Sequence, residues 1–305
     1  MGAPPRSLSG LGRDARVPGG LGYPAAVVED RSQQEVELKL ELPAEDARRV
    51  LRHPYIERHA EGPARVRRLR SVYFDTVDRA LLHAGLALRV REIGEQRVQT
   101  LKAGEKARTG LFERHEDEVE IEGDVPELEA VSNLTLRGLL QRTLAGRTLR
   151  PIFVTDMERT QRRIRDGEDV FSLDLDLGEV RAGDAHEPLC ELELELIEGD
   201  ARRLYEAALD LLESVPLTVG FVTKSDRGYA LAAGGRARQP IPEALARMRE
   251  TLEAAPTDLR PGLEDELTRL ERECEAARDE ADLERLHRSP RFARAALELG
   301  RIALG

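Results

Sequence analysis

Cysteine, aromatic residues and long apolar runs are all scarce in this sequence. Its 305 residues include two cysteines, Cys190 and Cys274, which are too few for a disulfide framework and fit a reducing cytoplasm. No apolar run approaches the length that crosses a bilayer, so the sequence predicts a soluble protein without a membrane partner. Residues 1–32, rich in Gly, Pro, Ala and Arg, lack the apolar core of a secretory signal and are predicted to form a disordered extension.

Several familiar catalytic motifs are missing as well. The six histidines are scattered, and no Cys/His spacing typical of a zinc site occurs. The sequence contains no G-x-x-x-x-G-K-[ST] loop and no G-x-S-x-G elbow, which disfavours P-loop and serine-hydrolase chemistry. A net charge of −11, from 58 acidic and 47 basic residues, disfavours nucleic acid as a partner.

Lysine is also rare, although basic residues are not. Among the 47 basic residues the lysines are Lys39, Lys102, Lys106 and Lys224. Arginine therefore supplies nearly all of the positively charged side chains. Positions that keep a compact ammonium are candidates for contacts that a planar guanidinium cannot replace.

Alternation of apolar and charged residues predicts a β-rich region. In QEVELKLELP, at 33–42, the period of two places Val36, Leu38 and Leu40 on one face and the charged residues on the other. Similar patterns predict strands at 34–42, 67–75, 86–93, 96–103, 113–122, 154–165, 169–180 and 188–198. The Asp-Gly pair of RDGE and the short EIGEQ connection predict tight hairpins, so the sheet is expected to be antiparallel.

Helices are predicted between and after these strands. Within the β-rich region they are expected at 44–52, at 133–145 after Ser132 as N-cap, and at 201–213 after Asp200 as N-cap. The Gly-Gly pair at 234–235 marks a linker, and residues 240–305 are predicted to form a small helical segment. Its apolar seam comprises Leu263, Leu267, Leu270, Cys274, Ala277 and Ala281. A last amphipathic helix is expected to begin after Ser289.

The charged faces of the strands are separated by sign. One charged face is ordinarily a solvated sheet surface, but glutamates at i and i+2 lie about 6.6 Å apart and repel by about 2.5 kcal/mol at an effective dielectric of ~20. Six or more such strands favour an ordered ligand set. Closing the sheet would turn the charged faces into a lumen and the apolar faces outward, under helices. A lumen with both signs suits a polyanion and its divalent cation.

An ordered set of motifs resembles the CYTH family, the triphosphate tunnel metalloenzymes. The motifs are EVELKLEL, SVYFDT, LALRVR, QTLK, RHEDEVEI, LGEVRAG, ELELEL and TKSDRGYAL. They cover residues 33–233, and the later ones are similar to the bacterial inorganic triphosphatase branch. The resemblance implies an α+β fold: a closed eight-stranded antiparallel β tunnel with helices packed outside and a small C-terminal helical segment. SPRFARAALELGRIAL resembles a helix of the CHAD domain, which implies a shortened CHAD-like remnant at 240–305.

The resemblance also implies roles for individual residues. The catalytic residues it implies are Glu37, Lys39, Glu118 and Asp176. Substrate phosphates are expected to bind Lys39, Arg89, Arg91, Lys102, Arg114, Arg159 and Lys224. The cofactor is expected to be Mg²⁺ or Mn²⁺, held by Glu35, Glu37, Glu116, Glu191 and Glu193. Glu195 shares the strand register and is expected past the site, and Glu41 is expected at a tunnel mouth.

The implied activity is metal-dependent hydrolysis of inorganic triphosphate, or a related small polyphosphate, to pyrophosphate and phosphate. Thiamine triphosphatase and class IV adenylate cyclase activities are alternatives on the same fold. They need contacts for an organic group, and a chain with 4% aromatic residues and no tryptophan shows no stacking platform. A non-catalytic module that binds triphosphate or polyphosphate is a third alternative. A homodimer is compatible with the sequence.

Overall fold

The structure, a computed structural model, describes residues 34–305, except for the side chains of residues 105–108. The extension predicted at 1–32 lies outside the described residues. Within 34–305, nine strands (β1–β9) span Gln34–Glu41, Ala60–Asp75, Leu86–Ile93, Gln96–Arg108, Leu111–Ile121, Arg150–Asp166, Asp169–Ala182, Ala185–Glu198 and Thr218–Val219. Ten α-helices (α1–α10) span Ala47–Leu51, Pro54–His59, Ala80–His83, Leu134–Leu144, Arg202–Leu212, Lys224–Ala232, Ile241–Ala254, Leu263–Ala276, Glu280–His287 and Pro290–Ile302.

Eight of the strands close into an antiparallel barrel. Around the barrel the order is β5-β4-β3-β2-β6-β7-β8-β1, and β5 closes the ring by pairing with the first half of β1, from Gln34↔His115 to Leu38↔Leu111. The short strand β9 lies outside the ring and pairs with the second half of β1. The predicted closed eight-stranded antiparallel fold is therefore confirmed. The strands of the long hairpins extend further than the alternation predicted.

The two faces of the strands are sorted as the period of two requires. On β1, Leu38 and Leu40 are completely buried in the main hydrophobic core beneath the helices, while Glu37 and Lys39 line the interior of the barrel. On β8, Leu192 and Leu194 belong to the same outer core. The barrel is thus polar inside and apolar outside, with helices covering the apolar face.

Three details of the predicted helices are wrong. Helix α5 has Ala201 as its N-cap instead of Asp200, although Asp200 Oδ1 accepts a hydrogen bond from the amide of Arg202. Helix α4 is capped by Asn133, whose Oδ1 accepts hydrogen bonds from the amides of Thr135 and Leu136. Ser132 instead binds the buried carboxylate of Asp117. The seam predicted from Leu263 to Ala281 is divided between two helices. Helix α8 ends at Ala276, the next residue is extended, and α9 begins after Asp279, whose side chain caps it. The predicted cap of α10, Ser289, accepts from the amide of Phe292 as expected.

The C-terminal helices share one hydrophobic core with the barrel. Met248 of α7, Leu267 of α8 and Phe292 of α10 belong to the cluster that contains Leu38 and Leu40 of β1. Helix α10 also packs against α5 and β9. In the part of the chain that the structure describes, no helix is long and apolar enough to cross a membrane.

The two ends of the barrel differ. Helix α6 packs against β6, β7 and β8, and its residues Lys224 and Ser225 line the interior. We call this end the floor. At the opposite end, β2 begins and β6 and β8 finish, and the exposed Arg65 and Arg67 of β2 line the opening. We call this end the mouth.

Candidate active site

The barrel encloses a cavity of about 300 Å³ that brings the predicted site residues together. Those that line it are Glu35, Glu37, Lys39, Arg89, Arg91, Lys102, Arg114, Glu116, Glu118, Arg159, Glu193 and Lys224. Asp176 and Glu191 are fully buried beside it, where their carboxylates contact Lys224 Nζ at 3.0 and 2.7 Å. Strand alternation places these residues inward, and barrel closure makes them neighbours.

Two lysines and two glutamates form the floor of the cavity. Lys39 Nζ donates to Glu193 at 2.7 Å and to Glu191 at 3.2 Å, and Lys224 Nζ donates to the same Glu193 oxygen at 2.6 Å. Burial alone would lower the pKa of Lys39, but the two carboxylates outweigh it and raise that pKa. The lysines in turn outweigh the effect of burial on Glu191 and Glu193 and lower the pKa of both. All four groups are therefore charged at neutral pH.

Arg159 joins this floor to a neighbouring acidic pair. Its guanidinium binds Asp176 through two nitrogens, each at 2.7 Å, and reaches Asp174 at 2.5 Å and Glu193 at 2.8 Å. Burial raises the pKa of Asp174, and Arg159 only partly offsets it. By contrast, Lys224 and Arg159 together outweigh burial and lower the pKa of Asp176. Asp176 is thus held as an anion by two cations.

A second set of pairs holds the glutamates of β1. Lys102 Nζ donates to both oxygens of Glu35 at 2.7 Å and lies 3.3 Å from Glu116. Arg114 donates to Glu37 and also lies 3.5 Å from Glu35. Each of the two glutamates in the E-x-E-x-K signature therefore has a cation from β4 or β5 opposite it.

Negative charge is in excess at Glu195. This side chain lies next to Glu37 across the β1–β8 ladder and lines the cavity. Burial, followed by the charges of Glu35 and Glu37, raises the pKa of Glu195 to about 8. The carboxyl groups of Glu35, Glu37 and Glu195 lie close together, with two cations, Lys102 and Arg114, beside them. A further cation would therefore be stabilised at this part of the cavity.

Positive charge is in excess on the opposite wall. Burial, followed by the charges of Arg89 and Arg159, lowers the pKa of Arg91 to about 10. Among the described side chains its hydrogen-bond partner is the neutral Ser71 hydroxyl, at 3.1 Å. Arg89 lies 3.8 Å from Glu116 and 3.9 Å from Glu118, which is too far for tight pairing. This wall would stabilise an anion.

The acidic side of the cavity fits a divalent cation by its donor chemistry. Within residues 34–305, no three carboxylate, imidazole or thiol groups converge into a ready-made metal site. However, Glu35, Glu37 and Glu195 supply carboxylate oxygens, the ligands that hard cations such as Mg²⁺ take. Their surplus charge, visible in the raised pKa of Glu195, would be relieved by such an ion.

The cavity contains residues that were not predicted as site residues, and one predicted position, that of Glu41, differs in the structure. Glu195 was expected past the site but lines the cavity, as does Asp174; both share a face with predicted residues, so the period of two could have found them. Glu41 was expected at a tunnel mouth, whereas it accepts hydrogen bonds from Arg227 and Gln239 at the floor. Arg227 belongs to the TKSDRGYAL motif but was given no role from the sequence, and it also binds Glu187 at 2.6 Å.

Comparison with curated proteins finds a relative of this chain. The chain is 31% identical to an inorganic triphosphatase of Haemophilus influenzae over 170 residues, which are 54% of this chain and 46% of that protein. It therefore spans about half the length of the curated relative that it matches.

Among solved structures, a Hippeastrum protein with a dominant triphosphatase activity aligns with a TM-score of 0.43 at 21% identity, covering 68% of this chain and 98% of that one. The RNA triphosphatase domain of a mimivirus mRNA capping enzyme aligns with a TM-score of 0.37 at 12% identity, covering 59% and 88%.

A family model settles the relationship that the motifs suggested. The model of the CYTH domain matches residues 33–229, which contain the whole barrel and most of α6. The resemblance of the last helices to a CHAD domain stays a prediction. With nearly two thirds of its length matched, the chain belongs to the CYTH domain family.

Proposed function

We propose that this chain hydrolyses inorganic triphosphate to pyrophosphate and phosphate with Mg²⁺ or Mn²⁺. The observation that carries the proposal is the division of charge within one closed cavity. On one wall Arg91 is hydrogen-bonded to the neutral Ser71 hydroxyl, and on the opposite wall Glu195 lies next to Glu37. A triphosphate with a divalent cation supplies the charge that each wall lacks.

The role that we assign to each side chain follows from the charged groups that it already contacts. Arg89 and Arg91, which lack close carboxylates, bind phosphate oxygens, and Lys102 and Arg114 are shared between substrate and the β1 glutamates. Glu35, Glu37 and Glu195 hold the metal ion. Such an ion, when bound, withdraws charge from phosphate oxygens and from the leaving group. No covalent intermediate on the protein is required.

Other groups at the site position these residues or the attacking water. Asp176 is saturated by Lys224 and Arg159, so we assign it a positioning role in place of a catalytic one. Glu191 and Glu193 likewise hold Lys39 and Lys224. Glu118 accepts a hydrogen bond from Thr100 at 3.0 Å and is half exposed to the cavity, so it is the proposed group that orients water.

Phosphate release from different substrates tests the proposal. We expect release from inorganic triphosphate that depends on added Mg²⁺ or Mn²⁺ and exceeds release from ATP and from thiamine triphosphate. Equal turnover of the organic triphosphates would overturn the substrate assignment. Tight triphosphate binding without turnover would favour a binding module.

The two cysteines are free, which supports a cytoplasmic location.

The substitution Glu37→Gln tests the site itself. The amide keeps the shape of the side chain but removes a metal-binding charge, so we expect phosphate release to fall by at least about 100-fold. The matched control is Glu158→Gln, on the outer face of β6, which should retain wild-type activity. Circular dichroism and thermal unfolding should show both variants folded. Turnover of the Glu37 variant near that of the control would refute the assignment.

A further inference from the structure

A row of arginines runs from the interior of the barrel to its mouth. Arg91 is buried in the cavity, while Arg67 and Arg65, further along the adjacent strand β2, are exposed and line the opening. None of these three has a carboxylate partner among the side chains that the structure describes. The row therefore carries positive charge beyond what the interior pairs neutralise.

Strand register places the three arginines along one wall of the cavity, with the apolar Leu69 between Ser71 and Arg67. Arg91 pairs across the β2–β3 ladder with Ser71, and Arg67 and Arg65 lie four and six residues before Ser71 on β2. Across the β2–β6 ladder they face Arg159 and Gln161, which also line the cavity. Six residues of strand span about 20 Å. That length exceeds a triphosphate, which has only two bridging oxygens between its phosphorus atoms.

Neighbouring arginines on the same ribbon do find acidic partners. Arg68, between Arg67 and Leu69, binds Asp156 at 3.0 Å. Arg163 and Arg165 of β6 share Glu61. Arg65 and Arg67, by contrast, lie at the cavity opening without a carboxylate partner among the described side chains, which suits an anion that enters from solvent.

The mouth is suited to phosphate and not to a nucleobase. The aromatic residue among the described cavity-lining side chains is Tyr73, which is buried and lies towards the floor. At the mouth, Ile93 and Val98 are aliphatic, and the remaining lining side chains are charged or carry an amide. Stacking of a base is strongest on a flat aromatic surface with space beside it, and the described residues of the mouth supply no such ring.

We propose that Arg65 and Arg67 form an outer subsite for linear inorganic polyphosphates longer than triphosphate. The inference rests on the proposed function and extends it: the interior holds the terminal phosphates, and the two arginines hold those that protrude. In the reaction, water oxygen bonds to a terminal phosphorus and the bridging P–O bond breaks. Hydrogen phosphate and a chain shorter by one phosphate leave, and one proton is released to solvent.

The experiment compares inorganic triphosphate with inorganic tetraphosphate and a short linear polyphosphate. The wild type is measured beside the double variant Arg65→Gln/Arg67→Gln and the control Arg68→Gln. Each exposed contact is expected to contribute about 5-fold, so kcat/KM of the double variant should fall about 25-fold on the longer substrates. On triphosphate the fall should be less than about 2-fold. The loss should shrink in high salt, because exposed charges are screened.

Each outcome supports or overturns the proposal. Selective loss on the longer substrates, with the Arg68 variant unchanged, supports it. Equal loss on all substrates, or no loss, overturns it. A larger loss on an RNA 5′-triphosphate than on tetraphosphate would reassign the subsite to nucleic acid. Calorimetric binding without metal separates the two claims: if the wild type binds tetraphosphate more tightly through these arginines yet cleaves nothing, the hydrolase proposal fails and the subsite stands.

Discussion

Neighbouring charges decide whether the effect of burial on the pKa of Glu193 and of Glu195 is reversed or increased. Glu193 and Glu195 lie two residues apart on β8, and burial opposes ionisation of both. Glu193 is held by Lys39, Lys224 and Arg159, so its pKa is lowered. Burial, followed by the charges of Glu35 and Glu37, raises the pKa of Glu195 to about 8. On β8, the charge of Glu193 is thus balanced by cations of the protein, whereas an external cation is needed to balance a charge on Glu195.

This difference predicts a pH dependence of stability for the metal-free protein. Because the folded-state pKa of Glu195, about 8, lies above its usual 4.5, the folded state binds this proton more tightly than the unfolded state. The stability that results is full below about pH 4.5 and is lost as pH rises through about 8. Glu195→Gln should remove this loss. Urea unfolding between pH 5 and 9 in a chelator measures it for both proteins.

Metal binding provides the control for that measurement. A divalent cation must displace the proton of Glu195, so saturating Mg²⁺ should stabilise the wild type more at pH 8 than at pH 6. The Glu195→Gln variant should show a smaller gain. Parallel stability curves for wild type and variant in the chelator would show that Glu195 is ionised throughout and would contradict the charge excess.

The strands were largely predictable from the sequence, and so was the set of side chains that face inward. The period of two identifies an inward face from sequence alone, and Glu37, Lys39 and Glu193 all lie in the cavity as expected. The depth and partners of each residue were not predictable in this way. They depend on register between strands distant in sequence, such as Glu37↔Glu195, which placed Glu195 within the site.

Contacts from short connecting segments were beyond pattern analysis. Gly220 follows β9, donates its amide to the carbonyl of Lys39 at 2.9 Å, and lies against the Lys39 side chain. A Cβ on Gly220 would be 2.9 Å from Lys39 Cγ and 3.1 Å from Cδ. A glycine directly after a two-residue strand gives no periodic signal, although here it limits the space available to the side chain of Lys39.

The substitution Gly220→Ala should therefore impair the site more than the fold. The added methyl has to displace the stem of Lys39, whose ammonium is fixed by Glu191 and Glu193, so we expect kcat to fall about 10-fold or more. Gly235→Ala is the control, since its Cβ would lie 3.8 Å from the nearest atom, an ordinary contact. Unchanged kcat with a lowered melting temperature would mean that the contact serves packing alone.

The barrel and the C-terminal helices form one packed unit, although the family match ends at residue 229. Gly300 of α10 lies against the ring of Tyr205 in α5, with room for no side chain between them. Tyr205 in turn hydrogen-bonds Thr109, in the turn that joins β4 to β5, at 3.1 Å. The sequence predicted these helices as a separate segment because amphipathic seams show which face is buried but not against what. The observed contacts run from the last helix to a turn of the barrel.

These contacts predict that the helices and the barrel unfold together. A Cβ on Gly300 would lie 2.2 Å from the Tyr205 ring, so Gly300→Ala should lower the free energy of unfolding by about 1–3 kcal/mol through overpacking. Gly138→Ala in α4 is the matched control: its Cβ would meet only a flexible arginine tip, and helix propensity should make it neutral or stabilising. Far-ultraviolet circular dichroism and the tyrosine signal should report one coincident transition in each protein. An early helical transition in the Gly300 variant, with the barrel and its phosphate release intact, would show instead that the C-terminal helices are an independent unit.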